Sequence, residues 1–172
     1  MQFRKATRDD TEAIAALVNR SYRSGEGWTH EGELLDGSRI NSEMLAQLLT
    51  QSDSHLETVW SGPQLLGCVH LRRTSSCHLG LLTVDTRHQQ QGLGRQLLDR
   101  AKELALGWNC PSIVLTVIAQ RTELVAYYER RGYLATGLRF PFPYQEPVGR
   151  AKRLDLELLE MSLDLAVSPL RC

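Results

Sequence analysis

The sequence predicts a mixed α/β (α+β) fold: a single domain with a largely antiparallel sheet of about six to seven strands, flanked by about four helices. Three observations predict it. The chain has 172 residues, which suits one domain of ordinary size. Helical periodicity near the N-terminus gives way to strand alternation from about residue 55. Beyond residue 85, strand and helix patterns alternate without a repeat, a linker or a heptad run. The expected order is helices, a run of strands, then β-α-β-α-β-β. Residues 1–165 form the domain and 166–172 a C-terminal tail.

Each element has a local reason. Gln2 to Thr7 reads as a short edge strand. Asp9 or Asp10 can cap a helix reaching about Arg23, with Ile14, Leu17 and Val18 on one face. Ser24 to Arg39, rich in Gly, charge and aromatic residues, reads as loop with a short helical turn. Asn41 can cap a second helix whose apolar face is Met44, Leu45, Leu48 and Leu49. Leu56 to Trp60, Leu65 to Arg72 and Cys77 to Val84, separated by Ser61-Gly62-Pro63 and Thr74-Ser75 turns, form an antiparallel meander. Leu93, Leu97, Leu98, Ala101, Leu104 and Ala105 share the face of a long helix that Gly107 can end. Ser112 to Ile118 is a buried strand, and Thr122 to Arg131 a short helix closed by Gly132. Tyr133 to Phe140 and Arg153 to Leu163 are the last strands, joined by a Pro-rich loop.

Composition narrows the function. Twenty basic and 20 acidic residues balance at a pI near 7.0, which argues against nucleic acid or an anionic membrane as partner. Of the basic residues 17 are Arg and only three are Lys, a bias that suits planar anion recognition and that codon usage also produces. No apolar run nears the roughly 18 residues of a membrane span, and MQFRKATRDD lacks a signal core, so a cytoplasmic protein is expected. Cys68, Cys77, Cys110 and Cys172 show neither a CxxC nor a dense framework, and read as free thiols. Cys77 and His78 point to opposite strand faces, so they do not converge with Cys68 and His70 on a metal, and none is expected.

The chemistry sits in Gln89-Gln90-Gln91-Gly92-Leu93-Gly94-Arg95, between a strand and a helix. Gly92 and Gly94 allow close approach of a ligand to the backbone, and the first helical N–H groups point outward with the helix dipole behind them: an anion cradle. A dinucleotide fingerprint would need Gly where Leu97 stands, and a P-loop would need Gly-Lys-Ser/Thr.

The run TVDTRHQQQGLGRQLLDRAKELA resembles the cofactor motif of GNAT-type N-acetyltransferases through Gln89, Gly92 and Gly94, and AYYERRGY resembles that family's second signature through Tyr128, Glu129, Gly132 and Tyr133. The resemblance, covering about residues 2 to 163, points to an uncharacterised bacterial subgroup. It implies a GNAT-like sheet and acetyl-CoA as cosubstrate. The pyrophosphate would be bound by backbone N–H groups of Gln90, Gln91, Gly92, Leu93, Gly94 and Arg95, with Gln89 in the motif. The pantetheine arm would pair with Leu82, Thr83 and Val84 as an added strand, next to a cleft where the following strand splays away. Tyr128 would protonate the departing thiolate, a phenol having a pKa of about 10. Its neighbour Tyr127 lies about 100° round the helix, so only one of the two is expected at the sulfur. Where many relatives carry Asn, this chain has Arg121, which would meet a CoA phosphate or face solvent.

The resemblance also offers a general base. Histone acetyltransferases of this fold place Glu eleven positions before the motif's Gln, where this chain has His78. Its imidazole, with a pKa of about 6.5, could take the amine proton. By alternation His78 shares a face with Gly80, Leu82 and Val84. The competing reading, which strand statistics favour, is a sheet histidine with a packing or hydrogen-bonding role, and Glu26, Glu31 and Glu33 are rivals. The acceptor site of the fold falls on Ser24 to Arg39 and Phe140 to Gly149. There Trp28 and Glu31 could hold a cationic amine by charge and cation–π contact, and Phe142 and Tyr144 could wall the pocket. The expected function is direct acetyl transfer from acetyl-CoA to a primary amine of a small molecule, by a monomer or homodimer. A protein Lys or N-terminal acetyltransferase and a non-catalytic acyl-CoA-binding module are the alternatives.

Overall fold

A computed structural model describes residues 1–25, 31–144 and 149–165. Its main sheet has seven strands in the order β1 (Gln2–Lys5), β3 (Ser54–Ser61), β4 (Gln64–Arg73), β5 (Cys77–Val84), β6 (Ser112–Ile118), β9 (Glu157–Asp164) and β7 (Leu134–Pro141). Every neighbouring pair is antiparallel except β5–β6, which the long helix α3 (Leu93–Gly107) connects as a crossover. Helices α1 (Thr11–Arg23) and α2 (Ser42–Thr50) cover one face. There Ile14, Leu17, Val18 and Leu45 pack on Leu56 and Cys68. On the other face α3 sets Leu93, Leu97, Leu98, Ala101 and Ala105 against Val69, Leu71, Ile113 and Leu115. Each buried Leu contributes about 2 kcal/mol, so the amphipathic stripe read in the sequence is what holds α3 to the sheet.

Local chemistry explains most element ends. The Asn41 side chain accepts from Met44 N at 2.8 Å and caps α2. Asp10 does not cap α1 in the expected way. A 3-10 turn (Arg8–Asp10) precedes the helix, and the Asp10 carboxylate instead accepts from Thr7 N at 2.7 Å and from Arg4 at 2.7 and 2.8 Å. These bonds, Arg4 foremost, hold its pKa down at about 2. Gly132, at φ +87°, ends α4 (Thr122–Glu129), and Tyr133 is buried beneath it rather than starting β7.

Two features differ from expectation. Leu35–Asp36 (β2) pairs with Arg150–Ala151 (β8) as a separate two-stranded ladder, far too short for periodicity to reveal. The last strand begins at Glu157 rather than Arg153, because Arg153 and Asp155 pair with each other in an exposed bend. Among the described residues no helix is long and apolar enough to cross a membrane.

Candidate active site

The site starts from a fault in the sheet. β5 and β6 share only two rungs, Cys77↔Ile113 and His78↔Val114, and then diverge. Just beyond, the β4–β5 register slips between Cys68↔Thr83 and His70↔Gly80, and Leu81 adopts φ +50°. This bulge inserts one residue and reverses the alternation. Leu82 and Val84 therefore pack on the α3 side with Cys77 and Leu79, while Leu81 packs with α1 and α2. The expectation that His78, Gly80, Leu82 and Val84 share one face is thereby corrected.

The wedge opens into a cavity of about 300 Å³ lined by Leu82, Thr83, Val84, Gln89, Gln90, Gly92, Gly94 and Arg95 on one side and by α4 on the other. The loop at its base is built by Asp85, whose Oδ1 accepts from Arg87 N at 3.0 Å. Burial pushes the Asp85 pKa up, but hydrogen bonds from Arg87 and His88 outweigh it and hold the carboxylate well below its usual range. Gln89 donates its side-chain amide to Val84 O at 3.2 Å, folding the loop back on the strand. Gln90 (φ +62°) and Gly92 (φ +81°, ψ 0°) turn the chain into α3, leaving the first N–H groups of that helix at the cavity. Gln91 is exposed and Leu93 is buried in the core, so neither side chain lines the cavity; only their backbone can serve a ligand there. Arg95, Arg130 and Arg131 add positive charge around it.

A second cavity, of about 210 Å³, adjoins the first; Tyr22, Leu82, Arg121, Leu124 and Tyr128 line both. Tyr128 is buried, and burial raises its pKa well above the ordinary phenol value, so it remains a proton donor throughout the neutral range. Tyr127 lines only the first cavity and meets Tyr128 edge to face at 5.5 Å. Both tyrosines line the first cavity, and of the two Tyr128 alone also lines the second. Tyr22, which the sequence did not single out, donates its hydroxyl to Leu82 O at 2.9 Å and lies under the Arg39 guanidinium at 4.3 Å.

The second cavity departs most from expectation. Glu31 lines it, but the carboxylate is buried and accepts from Arg39 Nη1 at 3.1 and 3.2 Å and from Arg121 Nη1 at 3.1 Å, with Arg23 Nη2 at 3.3 Å. Its oxygens are already occupied by guanidiniums rather than offered to a cationic amine. Arg121 is buried against Glu31 and does not face solvent, and it lines both cavities. Phe142 is buried with Leu35, Ile118 and Leu156 and lines the second cavity as part of its wall. Tyr144 is exposed, supports that wall from behind with its ring 5.1 Å from Phe142, and accepts from Leu156 N at 3.0 Å; it lines neither cavity. His78 is exposed on the shared rung of β5 and lines neither cavity, and Glu33 is likewise exposed and outside both. Trp28, Glu26 and Cys172 lie outside the described residues.

A family model described as "Acetyltransferase (GNAT) domain" matches residues 23–143, well over half of the chain. The uncharacterized protein YdhI of Bacillus subtilis (strain 168) is 25% identical over 100 residues; the match covers 58% of this chain and only 58% of YdhI's own length. The fold superposes on the ribosomal-protein-S18-alanine N-acetyltransferase of Escherichia coli with a TM-score of 0.71, covering 99% of this chain and 97% of that one at 16% identity. It also superposes on the PaiA N-acetyltransferase of Thermoplasma acidophilum in complex with coenzyme A, with a TM-score of 0.70, covering 95% and 98% at 15% identity. A spermidine N-acetyltransferase, SpeG, of Vibrio cholerae matches with a TM-score of 0.66, covering 95% of each chain at 17% identity.

Proposed function

Because the chain belongs to the GNAT acetyltransferase family, we propose that residues 1–165 transfer an acetyl group from acetyl-CoA to the amine of a small molecule, by direct attack in a ternary complex. The observation that carries this reading is the junction at Tyr128, where a cavity ending at the N-terminus of α3 meets a second cavity. One cavity suits an elongated anionic cosubstrate and the other an acceptor.

The residues present fit acetyl-CoA. The positive φ of Gln90 and Gly92 leaves backbone donors facing the cradle, and Arg95, Arg130 and Arg131 surround it. Leu82, Thr83 and Val84 line the cavity beyond the last rung that β5 shares with β6, so an extended amide-bearing arm could run beside them, the Leu82 and Val84 carbonyls being already engaged by Tyr22 and Gln89. Acetyl-CoA supplies an activated thioester. Tyr128 holds a proton beside the junction and would give it to the departing thiolate; burial keeps that proton in place. Tyr22 fixes the Leu82 carbonyl, and so the bulged strand, against α1. No metal is required by these steps.

A small acceptor is favoured by the wall that Leu35, Phe142 and Ile118 build from distant parts of the chain across the second cavity. The test is calorimetry with acetyl-CoA, followed by CoA release over a panel of small amines and Lys-containing peptides. Micromolar to tens-of-micromolar binding of acetyl-CoA, and turnover with small amines rather than peptides, is expected. Absence of acetyl-CoA binding would remove the reading.

A further inference from the structure

The second cavity carries an unusual charge. Among the described residues that line it, the charged side chains are Glu31, Arg39 and Arg121: two cations to one anion. Arg23 reaches the same carboxylate from behind. A surplus cation in a partly buried wall is unfavourable alone and attracts an anion.

Arg39 is the group best placed to receive one. Its guanidinium carbon lies 4.3 Å from the centre of the Tyr22 ring, and Glu31 holds it through Nη1. Among the described residues no acceptor meets its Nη2, while its Nε is buried out of reach of the cavity. Arg39 lines the acceptor cavity but not the cosubstrate cavity, so a phosphate of acetyl-CoA does not account for it.

We propose that the acceptor is an amine that also carries an anionic group, a carboxylate or a phosphonate, bound against Arg39. The proposal rests on the acetyltransferase reading and reverses the charge expected from the sequence: the pocket repels polyamines and takes zwitterions. The anion anchors at Arg39, Phe142 and Leu35 contact the apolar part, and the amine is left toward the Tyr128 junction, where Tyr22 and Leu82 form the shared wall.

The test is calorimetry on protein saturated with CoA, which binds without reacting. L-Amino acids, the matching amines lacking the carboxylate, matching aminoalkylphosphonates and spermidine are titrated, and acetyl-CoA-dependent CoA release is measured alongside. At least one zwitterion should bind about 100-fold tighter than its decarboxylated partner. Whether the carboxylate or the phosphonate series gives that member identifies the anion. Arg39→Gln should lose about the same factor for the zwitterion and Arg39→Lys should recover part of it, with CoA affinity and thermal midpoint reporting the fold. Preference for spermidine or for the decarboxylated amines, or binding of no anionic amine to the CoA-loaded protein, overturns the proposal and leaves the acetyltransferase reading standing. Failure to bind CoA removes both. The paired comparison in the unmodified protein decides the matter even where Arg39→Gln fails to fold.

Discussion

A Cβ placed on Gly94 would lie 2.6 Å from the hydroxyl oxygen of Tyr127. The second turn-in residue of the cradle and the first tyrosine of α4 are therefore one fitted unit, although the two sit in different motifs. Tyr127 has little room to retreat: Arg131 lies 3.4 Å over its ring and Tyr128 meets its edge at 5.5 Å. Gly94→Ala should weaken acetyl-CoA binding about ten-fold, and adding Tyr127→Phe should restore part of it, a coupling of about 1 kcal/mol. Calorimetric dissociation constants for the two single variants and the double variant measure this. Strict additivity would mean that the two residues do not interfere.

Tyr128→Phe should lower kcat about ten- to a thousand-fold while acetyl-CoA affinity stays within a few-fold, because the phenol proton matters only as the thiolate leaves. Tyr127→Phe alone should change KM for acetyl-CoA more than kcat, since that ring lines only the cosubstrate cavity. Steady-state kinetics on both variants separates the roles. Full turnover by the Tyr128 variant would leave thiolate protonation to water or to the amine's own proton.

His78→Ala should leave the shape of the pH–rate profile unchanged. The imidazole is exposed on the outermost shared rung of β5 and lines neither cavity. Loss or displacement of the acidic limb of kcat/KM in this variant would restore His78 as the base.

His70 links stability to pH. Burial, with Arg72 nearby, pushes its pKa down to about 4, and its Nε2 is 2.7 Å from Ser54 Oγ. In the unfolded chain the ring titrates near 6.5. Between these values the unfolded state takes up a proton that the folded state refuses, so stability is full above pH 6.5, falls as the pH drops, and levels off below about 4. The loss is on the order of 3 kcal/mol across the window. Asp10, held at about 2, acts at lower pH. Urea unfolding at pH 7, 5.5 and 4.5 should show His70→Gln with a flatter dependence than the parent; parallel curves would contradict it.

The order of elements along the chain, the four helices and the Gly turn before α3 were legible because each rests on short-range pattern: the Leu stripe of α3, the Asn41 cap, the Gly pair beside Gln89. The acceptor wall was not, because its partners lie far apart in the chain; Glu31 and Arg121 are 90 residues apart, Tyr22 and Leu82 are 60. Nothing local in Arg39 or Glu31 says that they pair. The side taken by Leu82 and Val84 was not legible for another reason. A bulge at Leu81 reverses alternation, and a leucine at φ +50° carries no compositional mark of that conformation. β2 and β8, two residues each, fall below any period.

Two rungs are a thin seam for a seven-stranded sheet. On one side stand β1, β3, β4 and β5, on the other β6, β9 and β7, each plate stitched within itself by long antiparallel ladders. The plates are therefore stronger than the join, and the molecule should yield along it first, like a book opening at a loose spine. A chain-like molecule laid between β5 and β6 would splice the plates. Its occupancy would then register as mechanical cohesion, adding about 2.7 kcal/mol at a hundred-fold excess over Kd and slowing amide exchange in both plates together.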